Sequence, residues 1–119
     1  MSATSYKSAC ASPGAFRRSS LEDTVRALAP TDQNLALAVK REIGKAPIPK
    51  PTGHAGGEEA DFFRVTLEAA IAERIVEALG DMEAASVSEE GETTSLASHY
   101  GSLLDLWYRY AESEFGNAI

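Results

Sequence analysis

Apolar residues recur at helical spacing in the middle of this chain, over residues 58–79. They fall at every fourth position: Phe63, Leu67, Ile71, Ile75 and Leu79. Phe62 and Val76 widen this stripe, the opening acids complement the helix dipole, and Gly80 marks the predicted end. A helix with so broad an apolar face is expected to pack on two sides, as the central member of a bundle or at a subunit contact.

A second long helix is predicted over residues 96–115, with Thr94 or Ser95 as its N-cap and Gly116 at its end. Its apolar residues follow the alternating three and four spacing of a helix: Tyr100, Leu103, Leu104, Trp107, Tyr110 and Ala111. Of the aromatic residues in this helix, the one tryptophan of the chain is expected to fill the core. Tyr108 lies off the stripe and is expected to point to solvent or to a partner.

Two shorter helices are predicted in the first half of the chain. The first covers residues 21–29 and has a Ser-x-x-Glu capping box that starts at Ser19. The second covers residues 32–43, with Thr31 as its N-cap and Gly44 as a left-handed stop. Each carries an apolar stripe on one face, as expected of helices that pack on a core.

Three segments lack helical periodicity. Residues 1–18 are rich in Ser and Ala and predict a flexible or extended arm. Residues 45–57 hold three prolines and three glycines, which predicts either an ordered strap or a loop. Residues 85–94 alternate and turn near Gly91, which is typical of a small hairpin or an extended loop. The predicted fold is therefore mainly α, a small bundle of about four helices forming a single domain over residues 19–119.

Charge is distributed unevenly along the chain, which has a formal net charge of −7. Residues 1–50 carry eight Lys or Arg against four Asp or Glu, and residues 51–119 carry three against fourteen. An acidic body argues against general nucleic-acid binding. The asymmetry allows head-to-tail attraction between copies, although it is also consistent with a charge that only keeps the protein soluble.

The chain offers no recognisable catalytic motif. Cys10 is the single cysteine, which excludes an internal disulfide and a cysteine-based zinc site. His54 and His99 are far apart and have no Cys or carboxylate at ligand spacing. Nucleophile elbows, phosphate-binding glycine loops and dinucleotide fingerprints are also missing from the sequence. We therefore expect no enzyme activity, no catalytic residues, no metal and no cofactor.

Aromatic and apolar residues of the two long helices are the candidates for a binding surface. Tyr and Trp are enriched at interface hot spots, and one helix cannot bury all of its neighbouring aromatics on a single face. For Tyr108 and Tyr110 an interface role is weighed evenly against core packing. The predicted interface residues are Phe62, Val76, Trp107, Tyr108, Tyr110 and Phe115.

The stretch from Phe62 to Phe115 resembles the head-to-tail connector (adaptor) proteins of tailed bacteriophages. The resemblance starts with an alanine-rich helix, FRVTLEAAIAERIVEAL, and continues through a Ser/Glu/Gly segment, SVSEEGETTSLA. It ends with a helix that begins near a Tyr and Leu pair, HYGSLLDLWYRYAE. Members of that family show a similar order of segments.

This resemblance implies a structural virion protein that forms a homo-oligomeric ring, commonly of twelve copies. The ring would dock beneath the portal protein in the neck, contact the next neck or tail protein, and line the DNA channel without binding DNA specifically. The implied location is the head–tail junction of the virion, and the host cytoplasm during assembly, with no membrane involved. Two rival interpretations are a small acidic inhibitor that blocks a basic partner surface, and an accessory subunit of an enzyme complex.

Overall fold

Helices dominate the computed structural model, which describes residues 3–51, 56–87, 91 and 94–116. The mainly α fold class predicted from the sequence is confirmed. Where about four helices were expected, the described residues form five, together with two short strands and one 3-10 turn at Glu58–Ala60. In chain order the elements are α1 (Ala3–Ala11), β1 (Ala15–Arg17), α2 (Arg18–Leu28), α3 (Gln33–Ile43), β2 (Phe62–Arg64), α4 (Ala69–Ala85) and α5 (Ser95–Phe115).

Helices α4 and α5 pack against each other as an antiparallel hairpin and form the central part of the core. Ala72, Ile75 and Leu79 are fully buried on α4 and belong to one apolar cluster with Leu103 and Trp107 of α5. Helix α5 begins where it was predicted to begin, because the Thr94 hydroxyl accepts a hydrogen bond from the Ala97 N–H at 3.0 Å. Helices α2 and α3 cover the hairpin from one side.

The sheet lies in a different place from the predicted hairpin. Strands β1 and β2 pair antiparallel, with Phe16 opposite Phe63 and both rings buried. Their neighbours Arg17 and Arg64 are exposed, as the alternation of a strand requires. Of the predicted excursion at residues 85–94, Ala85 belongs to α4, and residues 88–90 and 92–93 lie outside the described residues.

The helix predicted over residues 58–79 is wrong at both ends. Phe62 and Phe63 lie in β2, the helix starts at Ala69, and it continues through Gly80 to Ala85. The apolar residues of this stretch fit a short strand followed by a helix equally well. Phe63 and Val65 are buried and alternate with the exposed Arg64 and Thr66. Pairing with the distant strand β1 favours a strand at Phe63 over a helix, and the local sequence pattern does not contain that information.

The flexible or extended arm expected over residues 1–18 is replaced by regular structure in the part that the structure describes. Residues 3–11 form α1, and β1 follows after a turn. Tyr6 is buried and Phe16 is 2% exposed, so two aromatic residues attach this segment to the core. Helix α1 has no clear amphipathic pattern because its residues are small, which is why the sequence did not reveal it.

Neither of the two N-caps predicted in the first half forms. Helix α2 starts at Arg18 with no side-chain cap, so the capping box at Ser19 does not form. Asp32 caps α3, because its carboxylate accepts from the Leu35 N–H at 3.0 Å, and Thr31 does not. Gly44 follows α3 with a φ of −78°, which is helical and not left-handed.

The proline-rich segment is an ordered strap over residues 45–51. Ile48 is 7% exposed, and its N–H donates to the carbonyl oxygen of Phe62 at 2.7 Å. This hydrogen bond attaches the strap to β2, and the described sheet itself consists of β1 and β2. Residues 52–55, including His54, lie outside the described residues.

Replacing Gly80 with Ala should stabilise the protein. Gly80 lies inside α4, and a Cβ there meets no atom within 4 Å. Alanine in a helix interior is favoured over glycine by about 0.5–1 kcal/mol. We expect the urea unfolding midpoint to rise in Gly80→Ala. The matched control is Gly116→Ala, which should lower the midpoint because Gly116 has a φ of +57°. A lower midpoint for Gly80→Ala would mean that α4 ends at this glycine.

Candidate interaction surface

The six predicted interface residues divide into core and surface. Trp107 and Tyr110 are 0% and 1% exposed, so they are core residues and are not available to a partner. Their prediction as interface residues is therefore corrected. Tyr108 is 47% exposed and points away from the core, as expected. Val76 and Phe115 are half-buried and pack against the core, whereas Phe62 is half-buried beneath the Arg17 guanidinium.

Trp107 is fixed in the core by packing and by one hydrogen bond. Its ring centroid lies 4.4 Å from that of Phe16, and its indole N–H donates to the Thr24 hydroxyl oxygen at 3.0 Å. The Thr24 hydroxyl in turn donates to the Ser20 carbonyl at 2.7 Å. Sequence reasoning missed Thr24, although its position three residues after Leu21 places it on the apolar face of α2.

Tyr110 connects α5 to the segment that leads into α4. Its hydroxyl donates to the Leu67 carbonyl oxygen and accepts from the Leu67 N–H, both at 2.9 Å. Burial raises the pKa of Tyr110 above its ordinary value. The phenol is needed in its protonated form here, because only the O–H can donate to the carbonyl. This tyrosine is a structural connector.

Glu42 ends the apolar stripe of α3 and is almost fully buried. Its carboxylate accepts from the Lys45 ammonium at 2.7 Å and from the Thr66 N–H at 2.8 Å. Lys45 also donates to the Arg64 carbonyl and to the Thr66 hydroxyl. The pair therefore attaches α3 and the strap to the chain between β2 and α4. A carboxylate on an apolar stripe, three residues before a lysine, is the signal that could have revealed it.

Asp61 holds the strap and α2 against β2. Its carboxylate lies 2.6 Å from the Lys50 ammonium and 3.6 Å from the Arg18 guanidinium. The hydrogen bond from Lys50, with a smaller contribution from Arg18, holds the pKa of Asp61 below its usual range. Both cations also donate to backbone carbonyls nearby, Arg18 to Glu58 and Lys50 to Gly57.

The carboxylates of the α4–α5 hairpin differ from those of the rest of the protein in their ion pairing. Among the described residues, every ion pair uses a carboxylate outside the hairpin: Asp23, Asp32, Glu42 or Asp61. The eight carboxylates on or next to α4 and α5 have no cation within 4.0 Å in the described part of the chain. They are Glu68, Glu73, Glu77, Asp81, Glu83, Asp105, Glu112 and Glu114.

Three of these carboxylates form a row along α4. Glu73, Glu77 and Asp81 are spaced four residues apart, so they follow one another along one side of the helix. Like charges at this spacing destabilise an isolated helix by roughly 0.2–0.5 kcal/mol per pair. The row therefore does not stabilise α4, and Glu77 and Asp81 are exposed to solvent. We call these residues the acidic row.

Groups with catalytic chemistry are scattered over the structure. His99 is exposed, with its ring centroid 5.7 Å from that of Tyr100. Cys10 is half-buried beside Tyr6, whose pKa is raised by burial first and by its contact with Cys10 second. Within residues 3–51, 56–87, 91 and 94–116, no group of three His, Cys, Asp or Glu side chains is placed to hold a metal ion.

Comparison with known proteins does not assign this chain to a family. No family model, no curated protein and no solved structure matches it. Among the described helices, none is both long enough and apolar enough to cross a membrane. The surface itself therefore has to support any functional proposal.

Removing the hydroxyl of Thr24 should destabilise the protein. Thr24→Val keeps the shape of the side chain but leaves the buried Trp107 N–H without its acceptor, which costs about 1–3 kcal/mol. We expect a lower urea unfolding midpoint, with unfolding monitored by circular dichroism. In a Trp107→Phe background the same substitution should cost clearly less, because no donor is left unpaired. Equal losses in both backgrounds would show that the hydrogen bond contributes nothing to stability.

The contribution of Asp61 should disappear in acid. Because the pKa of Asp61 is lowered in the folded protein, its stabilising effect is present above the unfolded value of about 3.9. It is lost as the pH falls through the folded-state pKa. Asp61→Asn should therefore unfold at a lower urea concentration than the wild type at pH 7, and the two midpoints should converge as the pH falls below about 4. A difference that does not change over this range would contradict the ion pair with Lys50, and Lys50→Gln provides an independent check.

Proposed function

We propose that this protein is a structural subunit of a tailed-phage neck, a head–tail connector that assembles into a ring beneath the portal and lines the DNA channel. The observation that carries the proposal is the set of carboxylates on the α4–α5 hairpin that have no cation partner within the part of the chain that the structure describes. The resemblance of residues 62–115 to connector proteins agrees with it.

An acidic surface suits the wall of a DNA channel. Phosphates are bound by Lys and Arg, and a protein that presents carboxylates to them provides no counterion release. DNA would pass the acidic row without being held. The row costs helix stability in an isolated copy, so its presence is explained if the surface has a task that requires negative charge.

The shape and interior of the molecule suit a building block. Its principal dimensions are 50 × 29 × 25 Å, so the subunit is elongated. The buried polar side chains Thr24, Glu42 and Asp61 all bond to other parts of the same chain. We infer from this that the protein acts through its surface and has no catalytic activity of its own. Its partners would be further copies, the portal protein and the next neck or tail protein.

A small acidic inhibitor is the second candidate, because the same unpaired carboxylates would fit a basic nucleic-acid-binding surface on another protein. Such an inhibitor would present the acidic row as a substitute for phosphates. The two candidates differ in what the purified protein does alone, since only the connector requires self-assembly into a closed ring.

Mass in solution is the first test of the connector proposal. Analytical ultracentrifugation and negative-stain microscopy of the purified protein, alone and with the portal ring of its own phage, should show a closed ring or a complex that co-sediments with the portal. A 12.7 kDa chain that stays a monomer or dimer at high concentration and ignores the portal would contradict the connector and favour the inhibitor.

A further inference from the structure

The strap over residues 45–51 has little backbone bonding to the sheet beside it. Every second residue of its later part is a proline, which has no N–H to donate: Pro47, Pro49 and Pro51. The strap therefore cannot form a continuous ladder of hydrogen bonds with β2. Among the described residues, a single backbone hydrogen bond joins the two, from the Ile48 N–H to the Phe62 carbonyl oxygen.

Ile48 anchors the middle of the strap at a site apart from the main core. Its side chain is buried, but it does not belong to the apolar cluster that contains Phe63 and Trp107. Its neighbours in the strap are exposed, namely Ala46, Pro47 and Pro49. Release of the strap therefore exposes one apolar side chain and leaves the main cluster intact.

A lysine holds the strap at each end. At the first end, the Lys45 ammonium donates to the Glu42 carboxylate at 2.7 Å and to the Arg64 carbonyl oxygen at 2.9 Å. At the other end, the Lys50 ammonium lies 2.6 Å from the Asp61 carboxylate. Side-chain ion pairs, rather than a backbone ladder, thus attach the strap to the rest of the protein.

The strap occupies one edge of β2. On the other edge, the residues that flank β1 bond to the Asp61 carbonyl oxygen and to the Val65 N–H. Because backbone groups alternate in direction along a strand, the carbonyl oxygens of Phe62 and Arg64 point away from β1. The strap bonds to both, to one through its backbone N–H and to the other through its first lysine. Without the strap these acceptors would form an open edge, which is a template for pairing with another chain.

We propose that the strap is a latch that opens as one unit while the core stays folded, and that its opening uncovers the outer edge of β2. Segments of a protein open separately where few apolar contacts and few protected backbone hydrogen bonds hold them. The strap meets both conditions, with one buried apolar side chain and one backbone hydrogen bond to the sheet. The latch is independent of the proposed function, because a single copy can open and close it.

The two lysines control the latch. Each ammonium meets a carboxylate that is almost fully buried, Glu42 at one end and Asp61 at the other. A buried carboxylate that loses its cation is left in a poorly solvated site, and movement of the strap lets water reach it. Removal of the positive charge of Lys45 or Lys50 therefore favours the open state.

Native-state hydrogen exchange measured by NMR tests the latch. In the wild type, the Ile48 amide should exchange at least about 100-fold faster than the amides of Leu103 and Trp107 in the core of α5. Its opening should also respond only weakly to low urea concentrations, because a local opening exposes little surface. This comparison requires no substitution.

Two variants test the role of the lysines. Lys50→Gln should speed exchange of the Ile48 amide by about tenfold relative to the α5 amides, because it removes a hydrogen bond to a charged group. The matched control is Arg74→Gln, which removes an ion pair of the same 2.6 Å length, to Asp32, away from the strap. This control should leave the ratio of exchange rates unchanged.

Three results would overturn the latch or its control. If the Ile48 amide and the α5 amides open with the same free energy and the same urea dependence, the strap opens only when the whole protein unfolds. An Ile48 amide that exchanges as fast as in an unfolded chain would show that there is no closed state. A ratio of rates that Lys50→Gln leaves at its wild-type value would overturn control by the lysine, and the wild-type comparison decides the latch itself even where this variant does not fold.

Discussion

The position of Trp107 is the constraint on which the rest of the structure depends. Its ring packs on Phe16 of β1, its N–H bonds to Thr24 of α2, and its helix is one half of the α4–α5 hairpin. Three segments that are distant in sequence therefore meet at one side chain. Burying an aromatic ring of this size contributes several kcal/mol, and the hydrogen bond determines its orientation. A domain of this size is only marginally stable, so the loss of a contact that joins three elements would be costly.

Polar side chains then fix the elements around that centre. Tyr110 bonds to Leu67 and aligns the start of α4 with α5, Glu42 bonds to the chain before α4, and Asp61 joins the strap and α2 to β2. A buried polar group is favourable only when its hydrogen bonds are made, so each of these positions tolerates one arrangement of the chain. The buried polar side chains therefore hold neighbouring elements together.

Local patterns predicted the elements whose stability is local. Helix α5 was found with its Thr94 cap because its apolar spacing and its cap lie within the helix itself. The start of α4 was misplaced because Phe63 belongs to a strand whose partner, Phe16, is distant in sequence. The apolar spacing of α5 distinguishes Tyr110 from the exposed Tyr108, but the hydrogen bonds of Tyr110 to Leu67 depend on a segment outside that helix. The acidic row is visible in sequence as a four-residue spacing. Whether these carboxylates have a cation within 4.0 Å depends on which helices lie beside α4.

Charged and apolar side chains play different roles in a contact between copies of this chain. Exposed charges act over about 8–10 Å at physiological salt, so they govern orientation and the rate of encounter. Leu96 and Val87 have no such reach, but burying them supplies free energy that salt does not screen. A hairpin that carried only the apolar residues would associate with many surfaces. Charged side chains beside such residues restrict the contact to surfaces of the opposite charge.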